Sequence, residues 1–159
     1  MATINTNLSS FNVDDFPNSN LHKISIVVSE WNSNITNNLY KGTLDTLISC
    51  GCNKNNINKI SVPGSFELVY GAKFAAKSNP NAIICLGSII KGETKHFDYV
   101  CNAVSLGIKD LNLQLDIPVI FGVLTDNNLQ QAINRSGGKY GNKGIESAIA
   151  ALKMIDLNK

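Results

Sequence analysis

Apolar residues are concentrated in four short, β-branched runs, at positions 23–28, 57–62, 82–86 and 118–124. Each run is bounded by polar residues, Gly or Pro, as buried β-strands are. Between and after the runs, apolar residues recur at helical spacing, so strands and helices alternate along the chain. Fully apolar strands joined by helical crossovers are typical of parallel sheets. The pattern therefore predicts an α/β fold, a three-layer αβα sandwich around a four-stranded parallel sheet.

The periodic stretches predict five helices, and the segment before the first strand predicts none. Four of the helices begin near positions 34, 66, 95 and 145. Asp126 suits the N-cap of the other, a short helix that reaches Arg135. Residues 1–21 are polar, Asn-rich and without a period. We therefore predict an N-terminal arm over residues 1–21 and one domain over residues 22–159.

The composition fits a globular domain and argues against several classes of partner. Of the 159 residues, 43% are hydrophobic and 16% are charged, and the formal net charge is +2. A positive charge this small and scattered favours neither nucleic acid nor a membrane surface. No apolar run approaches the roughly 20 residues of a membrane helix, and the first residues lack the pattern of a secretory signal. We expect a cytoplasmic protein.

The four cysteines, Cys50, Cys52, Cys85 and Cys101, do not form a metal-binding pattern. None belongs to a Cys-x-x-Cys pair, and the chain has two His residues, so we expect no metal site. Cys85 lies in an apolar run and Cys101 in a predicted helix. Both are expected to pack as small hydrophobic residues.

The segment after the third strand carries the clearest candidate chemistry, because ligands bind where parallel strands end. It reads Gly87-Ser88-Ile89-Ile90-Lys91-Gly92-Glu93-Thr94 and resembles a phosphate-binding P-loop, except that Glu93 stands in the place of the Lys. A carboxylate there disfavours a triphosphate. Backbone N–H groups at the start of the following helix suit a single phosphate. A plain turn whose Gly residues only permit the bend is the alternative.

Three side chains near the other predicted loops add to this picture. His96 falls in the first turn of the third helix, where an imidazole can exchange protons beside the anion site. Glu67 begins another helix, and Trp31, the single Trp, follows the first strand. Taken alone, Glu67 is explained by the helix dipole and Trp31 by packing.

Together these segments resemble the lumazine synthase family. The resemblance is carried by SEWN, VPGSFELVYGAK, ICLGSIIKGETKHFDYVCNAVSLGI, IPVIFGVLT and the stretch from Arg135 to Gly144, and it spans nearly all of the chain from Ile24 to Leu157. It implies a flavodoxin-like fold. It also implies condensation of 5-amino-6-(D-ribitylamino)uracil with 3,4-dihydroxy-2-butanone 4-phosphate to 6,7-dimethyl-8-ribityllumazine, phosphate and water, without a cofactor or metal.

The resemblance also assigns roles to residues. Trp31 would stack on the pyrimidine, and Ser65, Phe66 and Glu67 would hold the ribityl chain. Ser88, Ile89 and Ile90 would line the heterocycle pocket through their backbone groups. The phosphate of the second substrate would be bound by Gly92, Glu93 and Thr94 with Arg135, and His96 would be the general acid and base. Phe121 and Lys143 match further pocket positions.

The resemblance further implies a homo-oligomer with active sites between neighbouring subunits. The basic unit would be a pentamer. The connection from Gly137 to Asn142 has the short, Gly-rich form found in members that assemble into icosahedral shells, although Tyr140 replaces a small residue there. We expect a shell, with a free pentamer as the alternative.

Two other functions share parts of this pattern. A riboflavin synthase of the archaeal type would not need the phosphate site formed by residues 92–94 and Arg135. A flavodoxin-like FMN-binding module without catalysis would have no use for His96 beside that site.

Overall fold

The computed structural model describes residues 9–16 and 19–157 and contains a four-stranded parallel sheet. The strand order is β2-β1-β3-β4, with every neighbouring pair parallel. The strands are β1 (Ile24–Ser29), β2 (Ile57–Val62), β3 (Ala82–Ile90) and β4 (Val119–Asp126). The predicted strands and their parallel arrangement are confirmed.

In the part of the chain that the structure describes, five α-helices follow the strands and cover both faces of the sheet, as expected. They are α1 (Ser33–Ser49), α2 (Leu68–Ala75), α3 (His96–Gln114), α4 (Leu129–Arg135) and α5 (Lys143–Asp156). A small antiparallel hairpin, β5 (Ser136–Gly138) and β6 (Gly141–Asn142), joins α4 to α5. Sequence analysis had placed only a break there.

The sheet separates two hydrophobic clusters because side chains alternate along each strand. In β3, Ile84 and Leu86 pack with α1, α4 and α5, whereas Ile83 and Cys85 pack with α2 and α3. All four side chains are fully buried. Packing against the helices therefore covers both faces of the sheet, which leaves the ends of the strands for ligand binding.

Helices α1 and α5 cross at very close range. A Cβ built on Gly144, in the first turn of α5, would stand 2.0 Å from the backbone oxygen of Leu39 in α1. The Thr43 hydroxyl donates a hydrogen bond to the Gly144 oxygen at 3.0 Å. A residue without a side chain is thus required where the final helix meets the first.

Two boundaries predicted from the sequence are wrong. Strand β3 continues to Ile90 because it pairs with β4 through Ile90↔Asp126, so residues 87–90 are strand and not the P-loop-like turn. Asp126 ends β4 for the same reason. The N-cap of α4 is Asn128, whose side chain accepts a hydrogen bond from the backbone N–H of Gln131.

The described part of the predicted arm contributes to the core. Phe16 is 5% exposed and belongs to the cluster under α1 and α5. The Ser9 hydroxyl accepts a hydrogen bond from the backbone N–H of Asn142 at 2.8 Å, which fixes this segment against the hairpin. The polar composition gave no signal of this packing. Residues 1–8 and 17–18 of the arm lie outside the described residues.

Within residues 9–16 and 19–157, no helix is both long and apolar enough to cross a membrane. The same residues contain no group of three or more potential metal-binding side chains. Their cysteines are free thiols. Burial raises the pKa of the Cys85 thiol to about 12, in keeping with its expected packing role.

Candidate active site at the carboxyl edge of the sheet

A cleft of about 760 Å³ opens where β1, β2 and β3 end. The α2 and α3 N-terminal segments form its other walls. Ten of the residues selected from the sequence line it together: Trp31, Ser65, Phe66, Glu67, Ser88, Ile89, Ile90, Gly92, Thr94 and His96. Folding therefore brings three separate predicted segments into one site.

Trp31 presents an open aromatic surface at the mouth of the cleft. It directly follows β1 and is 72% exposed. Its backbone N–H donates to the Pro63 oxygen at 3.1 Å, and the N–H of Glu30 donates to the Val62 oxygen at 2.8 Å. These bonds extend the β1–β2 pairing into the turn, so the ring is exposed while its backbone is fixed.

The loop between β2 and α2 places one buried and two exposed side chains on the cleft. Ser65 is 6% exposed, whereas the Phe66 ring is 58% exposed. Glu67 is the N-cap of α2, and its carboxylate lies over Gly64, where an added Cβ would approach Oε2 to 2.9 Å. The loop thus offers a hydroxyl, a ring and a carboxylate to an extended polar ligand.

The end of β3 supplies backbone groups. Strand β1 pairs with β3 only as far as Val28↔Leu86, so β3 extends beyond β1 into the cleft. Ile89 is buried against α2 and α3, and Ile90 is half-buried on the opposite face. A planar ligand between Trp31 and this strand edge could bond to the backbone.

The N-terminus of α3 forms the polar end of the cleft. His96 is its first residue and is exposed, and its N–H donates to the Thr94 hydroxyl at 3.4 Å. Lys95, the N-cap, makes no capping hydrogen bond through its side chain. The third N–H of the helix donates to the Lys95 oxygen at 3.0 Å, so the second N–H and the positive end of this 19-residue helix remain available to an anion. Glu93 is exposed beside this site without lining the cleft.

Besides Glu93, three predicted site residues do not line the cleft of their own chain. Arg135 ends α4 and forms an ion pair with Glu146 at 2.7 Å. Lys143 begins α5 and contacts the same carboxylate at 3.3 Å. Phe121 lies in β4, half-buried against the cluster under α2 and α3.

Asp126 connects the Arg135 region to the end of β3. Its backbone oxygen accepts from the N–H of Lys91 at 2.8 Å. Burial raises the pKa of its carboxyl group, and the nearby Arg135 charge partly opposes that shift. Arg135 therefore sits at the same sheet edge as the cleft, on the side of β4.

The cleft is also lined by Asn32, Phe97 and Val100, which are not among the site residues predicted from the sequence. Phe97 and Val100 follow from the helical phase of α3 once its first residue is known. Asn32 adopts φ 56° and ψ 47°, a left-handed conformation that Asn tolerates better than most residues. An Asn between a strand and a helix is the signal that could have identified it.

Comparison with known proteins agrees with this geometry. Residues 22–159 match the model of 6,7-dimethyl-8-ribityllumazine synthase. The chain belongs to the 6,7-dimethyl-8-ribityllumazine synthase family. A protein of that name from Flavobacterium johnsoniae is 57% identical over 155 residues, which cover 97% of this chain and 82% of the relative. One from Christiangramia forsetii is 55% identical over 161 residues, covering 100% and 96%.

Membership of this family confirms the resemblance inferred from the sequence and makes the chain an enzyme rather than a binding module. It argues against both alternatives, the riboflavin synthase of the archaeal type and the FMN-binding module. It also accounts for the flavodoxin-like arrangement of sheet and helices.

Proposed function

We propose that the chain condenses 5-amino-6-(D-ribitylamino)uracil with 3,4-dihydroxy-2-butanone 4-phosphate to form 6,7-dimethyl-8-ribityllumazine. The observation that carries this proposal is the meeting of Trp31, the free edge of β3 and the α3 N-terminus in one cleft. An aromatic platform, backbone hydrogen-bonding groups and an anion site are what these two substrates require. The family name supplies the product.

The uracil substrate occupies the part of the cleft formed by the first three strands. Its ring stacks on Trp31 and lies against Ser88, Ile89 and Ile90, where it bonds to the backbone groups of this segment that face the cleft. The ribityl chain runs along Ser65 and Phe66, with its hydroxyls donating to the Glu67 carboxylate. The exposed Trp31 ring and the carboxylate beside Gly64 support this placement.

The sugar phosphate binds with its phosphate at the N-terminus of α3. Backbone N–H groups from Gly92 to Thr94 and the positive end of the helix dipole favour it there. The exposed Glu93 contributes its backbone while its carboxylate faces solvent. Arg135 supplies the balancing charge.

The reaction needs proton transfer rather than a covalent intermediate with the protein. The uracil amine attacks the ketone and a first water leaves, and phosphate is then eliminated. The second amine closes the ring by attacking the remaining carbonyl, and a second water leaves. His96, beside the anion site, donates and accepts the protons of these steps. Because the substrate brings its own nucleophile, holding the two reactants together supplies much of the acceleration.

Arg135, Lys143 and Phe121 act in the cleft of a neighbouring subunit. None of them lines the cleft of its own chain, although each belongs to the predicted site. An apolar surface flanks the cleft and supports a subunit contact there. It is formed by the exposed side chains of Phe66, Tyr70, Phe74, Tyr99, Leu106 and Leu113.

We infer that the chain assembles into cytoplasmic pentamers and that twelve pentamers form an icosahedral shell. The Gly137–Asn142 connection supports the shell because it folds as a compact hairpin. Size-exclusion chromatography with light scattering tests the assembly. A species of sixty chains is expected. A species of five contradicts the shell, and a stable monomer contradicts the shared site as well.

Incubation with both substrates tests the reaction itself. Lumazine absorbance and free phosphate should appear together, in equal amounts. Omission of either substrate is the control and should abolish both signals. Product formation without phosphate release, or none at all, would contradict the proposal.

A further inference from the structure

The turn between β1 and α1 contains an unusual Asn side chain. Asn32 is the N-cap of α1, a position where Asn normally accepts a hydrogen bond from its own helix. Its side chain makes no capping bond. The backbone oxygen of Asn32 instead accepts from the N–H groups of Ile35 and Thr36, at 2.8 and 3.1 Å. The side-chain amide of Asn32 therefore remains available to another partner.

That partner is the neighbouring strand. The Asn32 side-chain amide donates to the Ser88 backbone oxygen at 2.9 Å. Ser88 lies in β3 beyond Leu86, the last β3 residue paired with β1. Its oxygen therefore has no strand partner on that side, and the Asn32 amide takes the place of the missing strand.

This bond determines which part of β3 is left for a ligand. Backbone groups in a strand face its two neighbours alternately. Lys91 bonds to β4, so Ser88 and Ile90 face the β1 side. The Asn32 amide occupies the Ser88 backbone oxygen. Ile90, the next residue whose backbone groups face the β1 side, lines the cleft.

We propose that Asn32 is a positioning residue that sets the distance between the Trp31 ring and the Ser88–Ile90 edge of β3. Within the turn, the Trp31 N–H donates to the Pro63 oxygen, and the Asn32 side chain donates to the Ser88 oxygen. A planar heterocycle would lie between them, in the cleft that both line. This inference rests on the proposed function, since it takes the ligand to be the uracil substrate.

Two variants separate the amide from the backbone conformation. Asn32→Gly permits the positive φ and removes the amide. Asn32→Asp keeps the size but turns an oxygen toward the Ser88 oxygen. Asn79→Gly is the matched control, because Asn32 and Asn79 are the two non-glycine residues with positive φ within residues 9–16 and 19–157. Asn79 is not among the residues that line the cleft.

Binding is measured by quenching of Trp31 fluorescence on titration with 5-amino-6-(D-ribitylamino)uracil. Because Trp31 is the sole Trp, the signal reports the cleft directly. We expect Asn32→Gly to raise the Kd and the KM for this substrate about tenfold, and Asn32→Asp to raise them further. The KM for the sugar phosphate should change less than twofold. Asn79→Gly should match the wild type.

The outcomes discriminate between positioning, structure and the proposed function. Wild-type affinity in both Asn32 variants would overturn the positioning role, as would equal losses for the two substrates. If circular dichroism shows that both variants fail to fold, the role of Asn32 is structural instead. Failure of the wild type to bind the uracil would contradict the proposed function, whatever the variants do.

Discussion

The guanidinium of Arg135 and the carboxylate of Glu146 form an ion pair at 2.7 Å, with both side chains only 12% exposed. A second guanidinium nitrogen donates to the Tyr140 oxygen at 2.6 Å. The pair links the end of α4 to the first turns of α5 across the hairpin. Arg135 is therefore held in place before a phosphate arrives.

Replacing Arg135 by Ala should weaken binding of the sugar phosphate selectively. A charge-assisted hydrogen bond contributes about 1.5–3 kcal/mol, so the KM for this substrate should rise by roughly tenfold to a hundredfold. Trp31 fluorescence should report unchanged affinity for the uracil substrate. Lys41→Ala, which removes an exposed cation from α1, is the control. Loss of uracil affinity alone would show that the two substrates are placed wrongly.

Replacing Glu146 by Gln should lower the free energy of unfolding by about 3 kcal/mol, because the Arg135 charge is left without its partner at low exposure. The exposed pair Lys41–Asp45 is a matched control on α1 at 2.9 Å. Asp45→Asn should cost less than about 1 kcal/mol, since solvent screens exposed pairs. Urea unfolding measures both. Equal costs would contradict the distinct role of the buried pair.

Replacing His96 by Ala should lower kcat about a hundredfold, the low end of the range for general acid–base groups. Uracil affinity measured by Trp31 fluorescence should stay within twofold of the wild type, because His96 moves protons and holds little substrate. Lys109→Ala, near the other end of α3, is the control and should keep full activity. An unchanged kcat in the His96 variant would remove it from the mechanism.

Replacing Gly144 by Ala should destabilise the fold by about 3 kcal/mol or more, because the new Cβ would overlap the Leu39 oxygen at 2.0 Å. The α1–α5 crossing has to separate to admit it. Gly92→Ala is the control, since nothing lies within 4 Å of an added Cβ there. Thermal unfolding should show a large decrease in melting temperature for Gly144→Ala and a small decrease for Gly92→Ala. A normal melting temperature for Gly144→Ala would contradict the close crossing.

The sheet could be predicted from the sequence mainly because its central strands β1 and β3 are buried on both faces, which leaves continuous apolar runs. The edge strand β2 is partly exposed, and polar residues interrupt its apolar ones. The end of β3 could not be predicted, because its Gly-rich sequence is typical of a turn, whereas pairing of Ile90 with Asp126 makes it a strand. The same pairing moved the α4 cap from Asp126 to Asn128. Long-range partners, rather than local propensity, decided both boundaries.

Most of the cleft could be predicted because its side chains follow strand ends, where topology brings them together. The contact between Asn32 and Ser88 joins residues 56 positions apart, and neither residue type reveals it. Burial of Phe16 is hidden in the same way by the polar residues around it. The positions of Arg135, Phe121 and Lys143 outside their own cleft also carry no sequence signal.

The stability of the fold should depend on pH through the carboxyl group of Asp126. Burial raises the pKa of this carboxyl group above its ordinary value of 3.8, with Arg135 opposing the shift. A raised pKa in the folded state stabilises the fold at low pH, and this contribution is lost as pH rises through the folded-state pKa. Asp126→Asn carries no titrating group, so it does not lose that contribution.

Unfolding free energies of Asp126→Asn and the wild type should therefore diverge as pH rises. The variant should gain relative to the wild type as pH rises above the ordinary pKa of 3.8, and the difference should become constant once the folded-state carboxyl group is ionised. Urea unfolding at a series of pH values measures this difference, and Asp45→Asn, on an exposed carboxylate, is the control. A relative loss for Asp126→Asn as pH rises toward 3.8 from below would show that attraction to Arg135 exceeds the cost of burial. A lowered folded-state pKa makes the wild type more stable as pH rises from that pKa to the ordinary value.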